Sequence, residues 1–263
     1  MTELLAGGEI QLWLADLSEL GEAGLAACHR YLSADERQRN RRLADPAVQR
    51  ADLAARALVR LALGRALDLD PGELRFAAGP HGKPFLDRPG GASPAFNLSH
   101  CRHLVVCALT RQGRLGVDVE CTARRIAVER LARRYCADVE RAALAELPPE
   151  RRAGRFLELW TLKEAFLKAR GEGISLGPRK AAFRLDGDAI AARFDPALGE
   201  RPEAWWFGLF APVPAHRLAL ALGDGARPVR VRAYALEWRG ELIPVLRPLG
   251  RCAAGQAHRP GPG

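Results

Sequence analysis

The sequence predicts an α+β fold. Three observations carry this. Alternating apolar residues mark short strands, as over Glu9 to Leu17, where Ile10, Leu12 and Leu14 fall on one side. Long helical patterns occupy roughly 46–67 and 150–169. The order of elements is also doubled: helices come first and a run of strands follows, and then the same sequence of events repeats. That order is compatible with two similar halves, although no short sequence repeat is present.

Each element has a local reason. After the first strand, 21–31 reads as a helix. Ser33-Ala34-Asp35-Glu36 has the S-x-x-E form of a capping box and starts a second helix, which opens on Arg37, Arg39, Arg41 and Arg42. Pro46 interrupts it and suits the first turn of a third helix running to about Leu67, with Leu53, Ala57, Val59, Leu61 and Leu63 available for a core. Short strands are predicted at 74–77, 95–99, 103–110 and 115–120. Turn-rich Gly79 to Pro84 and Asp87 to Ser93 lie between the first two, and the Arg111 to Arg114 turn precedes the last. Residues 126–147 read as helix, in one piece or two. The helix over 150–169 stops at Gly171-Glu172-Gly173, where glycine accepts the left-handed cap conformation. Strands follow at 182–185, 189–194, 205–210, 217–222 and 229–236. The tail from Arg247, rich in Gly and Pro, is expected to be disordered.

A hydrophobic content of 48% with 27% charged residues describes a soluble globular chain. No run approaches the ~20 apolar residues of a membrane span, and Met1 to Gly8 carries no secretory pattern. A cytoplasmic, non-membrane protein is expected. The six cysteines contain no C-x-x-C pair, which argues against zinc, and no disulfide framework is expected. A net charge of +9 points to an anionic partner without naming one.

Several positions can carry chemistry. Asp118 and Glu120 flank Val119 on a strand, so both carboxylates share one face while Val117 and Val119 are expected in the core. Such a pair either is solvated or holds a cation between its members, and an oxygen-rich site suits Mg²⁺. Ser99 and His100 end another strand. They lack a glycine-flanked elbow and point apart as neighbours on an extended chain, so they suit phosphate hydrogen bonding better than a Ser–His relay. Lys83 follows Gly82 in a loop where backbone can approach a ligand. Trp160, Glu164 and Lys168, at i, i+4 and i+8, share one helix face. Taken alone, Glu164 and Lys168 read as a rim ion pair and Trp160 as a packing residue.

In order and combination these motifs are specific. Phe96-Asn97-Leu98-Ser99-His100, then Gly116-Val117-Asp118-Val119-Glu120, then Trp160-Thr161-Leu162-Lys163-Glu164-Ala165-Phe166-Leu167-Lys168 closely resembles the 4′-phosphopantetheinyl transferases of the longer, Sfp-like class. The likeness covers roughly Glu36 to Leu176 and includes the Gly82-Lys83-Pro84 loop and Gly171 to Ile174. Cys101 departs from it, standing where a second serine often follows the Ser-His pair.

The resemblance implies two similar α+β halves related by a pseudo-twofold, 1–112 and 113–246, with the active site in the cleft between them and a tail over 247–263. It implies coenzyme A as substrate and an acidic apo acyl or peptidyl carrier protein as partner, the chain acting as a monomer. The implied reaction is a Mg²⁺-dependent transfer that releases 3′,5′-ADP. Asp118, Glu120 and Glu164 match the metal-site acids, and Glu164 could also serve as base. Lys168 matches a lysine near the pyrophosphate, and Ser99 and His100 match phosphate contacts. Lys83 matches the nucleotide end. Arg39 matches a basic position near the 3′-phosphate, with Arg37 and Arg42 as neighbours that could take that place. Two other classes compete: a Mg²⁺-dependent phosphodiesterase or nuclease using the same acids, and a nucleic-acid-binding protein using Arg37 to Arg42. No nucleic-acid-binding signature accompanies those arginines.

Overall fold

The structure is a computed structural model, and it describes residues 5–79, 81–88, 93–173, 176–187, 189–225, 229–237 and 245–248. The described residues divide into two compact units, one of residues up to 112 together with 229–237 and 245–248, the other of residues 113–225.

The first unit is built on a five-stranded sheet. Its strands are β1 (Glu9–Asp16), β4 (Ala95–Cys101), β5 (Leu104–Thr110), β11 (Arg230–Glu237) and β12 (Val245–Pro248), in the order β12-β11-β1-β5-β4. A hairpin of β2 (Phe76–Ala78) and β3 (Pro84–Leu86) stands apart from it. Three helices complete the unit: α1 (Glu22–Tyr31), α2 (Ala34–Arg41) and α3 (Pro46–Leu67).

The Ser33–Glu36 capping box forms as the sequence predicts, and Asp45 caps α3 with Pro46 in its first turn. Strand β1 is more buried than simple alternation suggests. Ile10, Leu12 and Leu14 are enclosed, while Trp13 and Ala15 on its other side join the core formed with α3.

Two sequence expectations are corrected here. Strand β11 was expected in the C-terminal half, yet it pairs in parallel with β1, and the Trp13 and Tyr234 rings sit 5.1 Å apart. Arg247 and Pro248, expected in a disordered tail, lie in β12 and pair with Ala235 and Tyr234. Residues 249–263 of that tail lie outside the described residues, as do Pro80 and Ile174 of the expected motif loops.

The second unit begins with β6 (Arg114–Cys121). The expected 126–147 helix is two pieces, α4 (Val128–Tyr135) and α5 (Asp138–Glu146), followed by α6 (Pro149–Arg170). A hairpin of β7 (Ala181–Asp186) and β8 (Ala189–Phe194) precedes β9 (Trp205–Phe210) and β10 (His216–Gly223), which complete the antiparallel sheet β6-β10-β9. Phe166 of α6 stacks on Phe194 at 4.7 Å and meets Trp205 edge-on at 4.8 Å, anchoring the helix in an aromatic core.

One glycine fixes where α6 meets the sheet. A Cβ built on Gly116 would lie 1.9 Å from the Ala165 carbonyl oxygen and 2.5 Å from the Ala169 nitrogen. Only a residue without a side chain lets the helix backbone come this close. Gly116, Asp118 and Glu120 alternate onto one strand face, so α6 covers the side of β6 that carries the acids. Val117 and Val119 are buried on the opposite side of the strand, at 0% and 2% exposure, as the alternation predicts; the covering of the acid face is what the alternation does not give.

Candidate active site

The close contact at Gly116 brings one face of α6 over the acids of β6. Lys168 Nζ donates to Asp118 Oδ1 at 2.7 Å. The Trp160 indole Nε1–H donates to Glu120 Oε1 at 2.9 Å, and Arg124, in the turn after β6, pairs with Glu120 Oε2 at 3.2 Å. Glu164 lies between Trp160 and Lys168 on the same helix face, and its Oε1 is buried with no hydrogen-bond partner. Thus the structure brings Asp118, Glu120, Glu164 and Lys168 together within one unit. Lys168 pairs with Asp118 across the contact between helix and strand.

The electrostatics follow from crowding three acids under a helix. Burial, then the nearby Asp118, raises Glu164 to about 7; Lys168 offsets part of this and Glu120 adds to it. Burial and Asp118 also push Glu120 upward, against Arg124, Trp160 and Lys168. The three carboxylates therefore sense one another, and the cluster is short of positive charge.

That donor set is chemically suited to a hard divalent cation, which prefers oxygen ligands. The buried, unpartnered Glu164 oxygen is the kind of atom such an ion would satisfy. As the side chains stand, no group of three His, Cys, Asp or Glu among the described residues is arranged to hold a metal. Lys168 and Arg124 instead supply the positive charge.

The remaining predicted positions lie in the other unit. On β4, Phe96 packs in the core and Ser99 is buried on the opposite strand face, while His100 is exposed. Ser99 and His100 therefore point apart, as the sequence reading held. Lys83 is half-buried at the end of a tight loop whose Gly82 has φ +80° and whose Gly79 N–H bonds the Lys83 carbonyl at 2.9 Å. In α2, Arg37 donates to the carbonyls of Leu32 and His29 at the end of α1, a structural task. Arg39 and Arg42 remain exposed.

Burial pushes the Cys28 and Cys136 thiols up to about 12, and Cys28, Cys107, Cys121 and Cys136 are buried thiols outside any disulfide. A cavity of about 540 Å³ also lies in the second unit, lined by Leu144, Leu159, Phe183 and Ala192 among others. None of the four clustered residues lines it. No helix among the described residues is long and apolar enough to cross a membrane.

Three acids and a lysine thus share one strand–helix face, and comparison with known proteins gives the chain a family. Residues 114–221 match the 4′-phosphopantetheinyl transferase superfamily, and 21–112 match the 4′-phosphopantetheinyl transferase N-terminal family. The chain is 36% identical over 172 residues to the 4′-phosphopantetheinyl transferase HetI of Nostoc sp., covering 65% of this chain and 72% of that protein. It is 37% identical over 167 residues to a putative 4′-phosphopantetheinyl transferase of Synechocystis sp., covering 64% and 67%. It is 31% identical over 158 residues to the 4′-phosphopantetheinyl transferase Sfp of Bacillus subtilis, covering 60% and 68%. The chain belongs to the 4′-phosphopantetheinyl transferase superfamily, in its Sfp-like class.

Three features escaped sequence reasoning. Gly116 belonged to a quoted motif, but nothing in the sequence says which backbone will press on it. Arg124 sits four residues past Glu120, a spacing that has meaning on a helix and little after a strand. Trp160 read as packing, because an indole N–H gives no sign in sequence of where it points.

Proposed function

We propose that this protein transfers the 4′-phosphopantetheine arm of coenzyme A to a serine hydroxyl of an apo acyl or peptidyl carrier protein, releasing 3′,5′-ADP and requiring Mg²⁺. The observation that carries the proposal is the convergence of Asp118, Glu120, Glu164 and Lys168 on one strand–helix face. Asp118, Glu120 and Glu164 would hold the metal. Bound there, Mg²⁺ would supply charge neutralisation for the pyrophosphate and the departing nucleotide.

This chain's own groups do the rest. Phosphoryl transfer asks for positioning and charge more than for covalent help. The serine oxygen forms a bond to phosphorus as the pyrophosphate P–O bond breaks, and the serine proton needs an acceptor. Glu164 is proposed to accept it, directly or through a water, beside its place among the metal-holding acids. Lys168 offers an ammonium to the pyrophosphate once it leaves Asp118. His100 and Ser99 are proposed as phosphate hydrogen-bond donors. Lys83 is proposed at the nucleotide end and Arg39 at the 3′-phosphate.

An acidic carrier fits the +9 charge of the chain and the exposed Arg130, Arg133 and Arg134 of α4. Its association should slow as salt rises.

Mass spectrometry of apo carriers from several pathways, incubated with the protein, coenzyme A and Mg²⁺, tests the reading. The expected result is one phosphopantetheine added per carrier, with loss of the gain on chelation. No gain across the panel would refute transfer. Release of 3′,5′-ADP in the absence of any carrier would instead identify a phosphodiesterase.

A further inference from the structure

We propose that Trp160 is a positioning residue that sets the Glu120 carboxylate through its indole N–H. What the positioning achieves rests on the reading of Glu120 as a metal-holding acid; the contact itself does not. A glutamate side chain turns about three bonds and samples several rotamers when unheld, and fixing it costs entropy. Here each oxygen has its own donor, Trp160 on Oε1 at 2.9 Å and Arg124 on Oε2 at 3.2 Å. The carboxylate plane is thereby set.

The two donors are not equivalent. Arg124 has a side chain 44% exposed, so its ion pair is weak and screened by salt. Trp160 reaches Glu120 from the helix that also carries Glu164 and Lys168. Its ring is backed by Tyr135 of α4, with centroids 4.6 Å apart and planes at 50°. The Arg134 guanidinium lies 5.2 Å over that tyrosine. The indole orients an oxygen without adding positive charge. Lys168 does the opposite at Asp118, where a full ammonium opposes any incoming cation. One helix face thus gives Glu120 a permanent neutral guide and gives Asp118 a displaceable charge.

Substituting Trp160→Phe keeps an aromatic ring against Tyr135 and removes the donor. Two measurements on the full chain decide the matter. In metal-free protein, NMR of the indole N–H, assigned by its loss in Trp160→Phe, should shift in Glu120→Ala and exchange with solvent at least about tenfold faster. A resonance unmoved by Glu120→Ala overturns the proposal. The Mn²⁺ dissociation constant, followed by EPR without coenzyme A, and the Mg²⁺ level giving half-maximal transfer should both rise about tenfold in Trp160→Phe, the effect typical of losing a partner behind a metal ligand. The maximal rate should fall by much less, with the thermal midpoint held within about 2 °C. Unchanged Mn²⁺ affinity in Trp160→Phe sinks the positioning role. If the wild-type chain binds no Mn²⁺, it is the metal reading that fails, and the indole resonance still judges the contact.

Discussion

Helices α3 and α6, one in each unit, are built alike and used differently. Each runs 22 residues from a proline in its first turn to a left-handed cap, at Asp68 (φ 56°) and Gly171 (φ 80°). At the same distance along each helix sits a buried cation, Arg60 or Lys163, 2% and 0% exposed. Each is held by a glutamate that also accepts from the backbone at the start of the short helix before it. Glu36 takes the Ser33 N–H and Arg60 Nη2, both at 2.8 Å. Glu140 takes the Ala137 N–H at 2.7 Å and Lys163 Nζ at 2.8 Å.

A buried pair of this kind adds little net stability, but it penalises any rotation of the helix that would separate the charges. The residue that follows is where the helices part. Leu61 enters the core of the first unit, whereas Glu164 enters the acid cluster of the second. One turn to either side, Ala57 and Arg65 correspond to Trp160 and Lys168. Two helices held in the same way therefore carry different chemistry on the corresponding face, and α6 lies over a strand with Asp118 and Glu120 on the covered side.

The largest effect should come from exchanging what the two faces carry. Glu164→Gln should lower transfer by about a thousandfold or more while the thermal midpoint holds or rises, because a buried, unpartnered carboxylate becomes a neutral amide. The mirror change, Leu61→Glu, should cost about 3 kcal/mol or more in urea unfolding, since it takes a carboxylate into an apolar core. Near-wild-type transfer by Glu164→Gln would remove it from the mechanism. Near-wild-type stability of Leu61→Glu would show that the two faces are less distinct than they look.

The seat of α6 comes next. Gly116→Val places atoms where the Ala165 carbonyl now lies, so the helix must lift from β6. A loss of about 3 kcal/mol and of most transfer activity is expected, read by thermal melts and the carrier assay. Survival of both would mean the close approach is not what brings Glu164 to Asp118.

The shared pair can be broken on either side. Lys163→Met leaves Glu140 buried without its cation and should cost about 3–5 kcal/mol; Arg60→Met should cost less, since Arg56 also pairs with Glu36 at 3.6 Å. Adding Glu140→Gln to Lys163→Met should return part of the loss. A cost in one unit alone would end the analogy between the helices.

Much of this scaffold was legible in the sequence. The Ser33–Glu36 box, Pro46 and Gly171 mark helix ends through chemistry that acts within a few residues, and they fell where expected. The pairing of β11 with β1 was not legible, because strand periodicity states that a segment is extended and says nothing of its neighbour. The spacing of Asp118 and Glu120 put them on one face, but only the order of the three motifs singled out the acids. Which side of β6 the helix covers was not legible, since Val117 and Val119 are buried too and only Gly116 admits a helix backbone. Spacing along the chain thus identified residues that share a face, while their partners across the fold depended on close contacts that sequence alone does not encode.

The smallest predicted effect lies at the edge of the second unit and has no counterpart on α3. Burial alone would raise Glu200, but Arg114, bonded at 2.6 and 3.0 Å, and the Trp205 indole outweigh it and hold the carboxyl below its usual range. A carboxyl with a depressed folded-state pKa stabilises the fold above its unfolded value of about 4.3. That contribution is lost as pH falls through the lower folded value. Arg114 is partly exposed, so the effect should be small. Thermal melts of wild type and Glu200→Gln should differ by a constant, modest amount from pH 8 to about 5, and the two midpoints should converge below about pH 4. A gap that persists into acid would mean that Glu200 acts through packing and hydrogen bonding, with its charge irrelevant to how Trp205 is held beside Phe166.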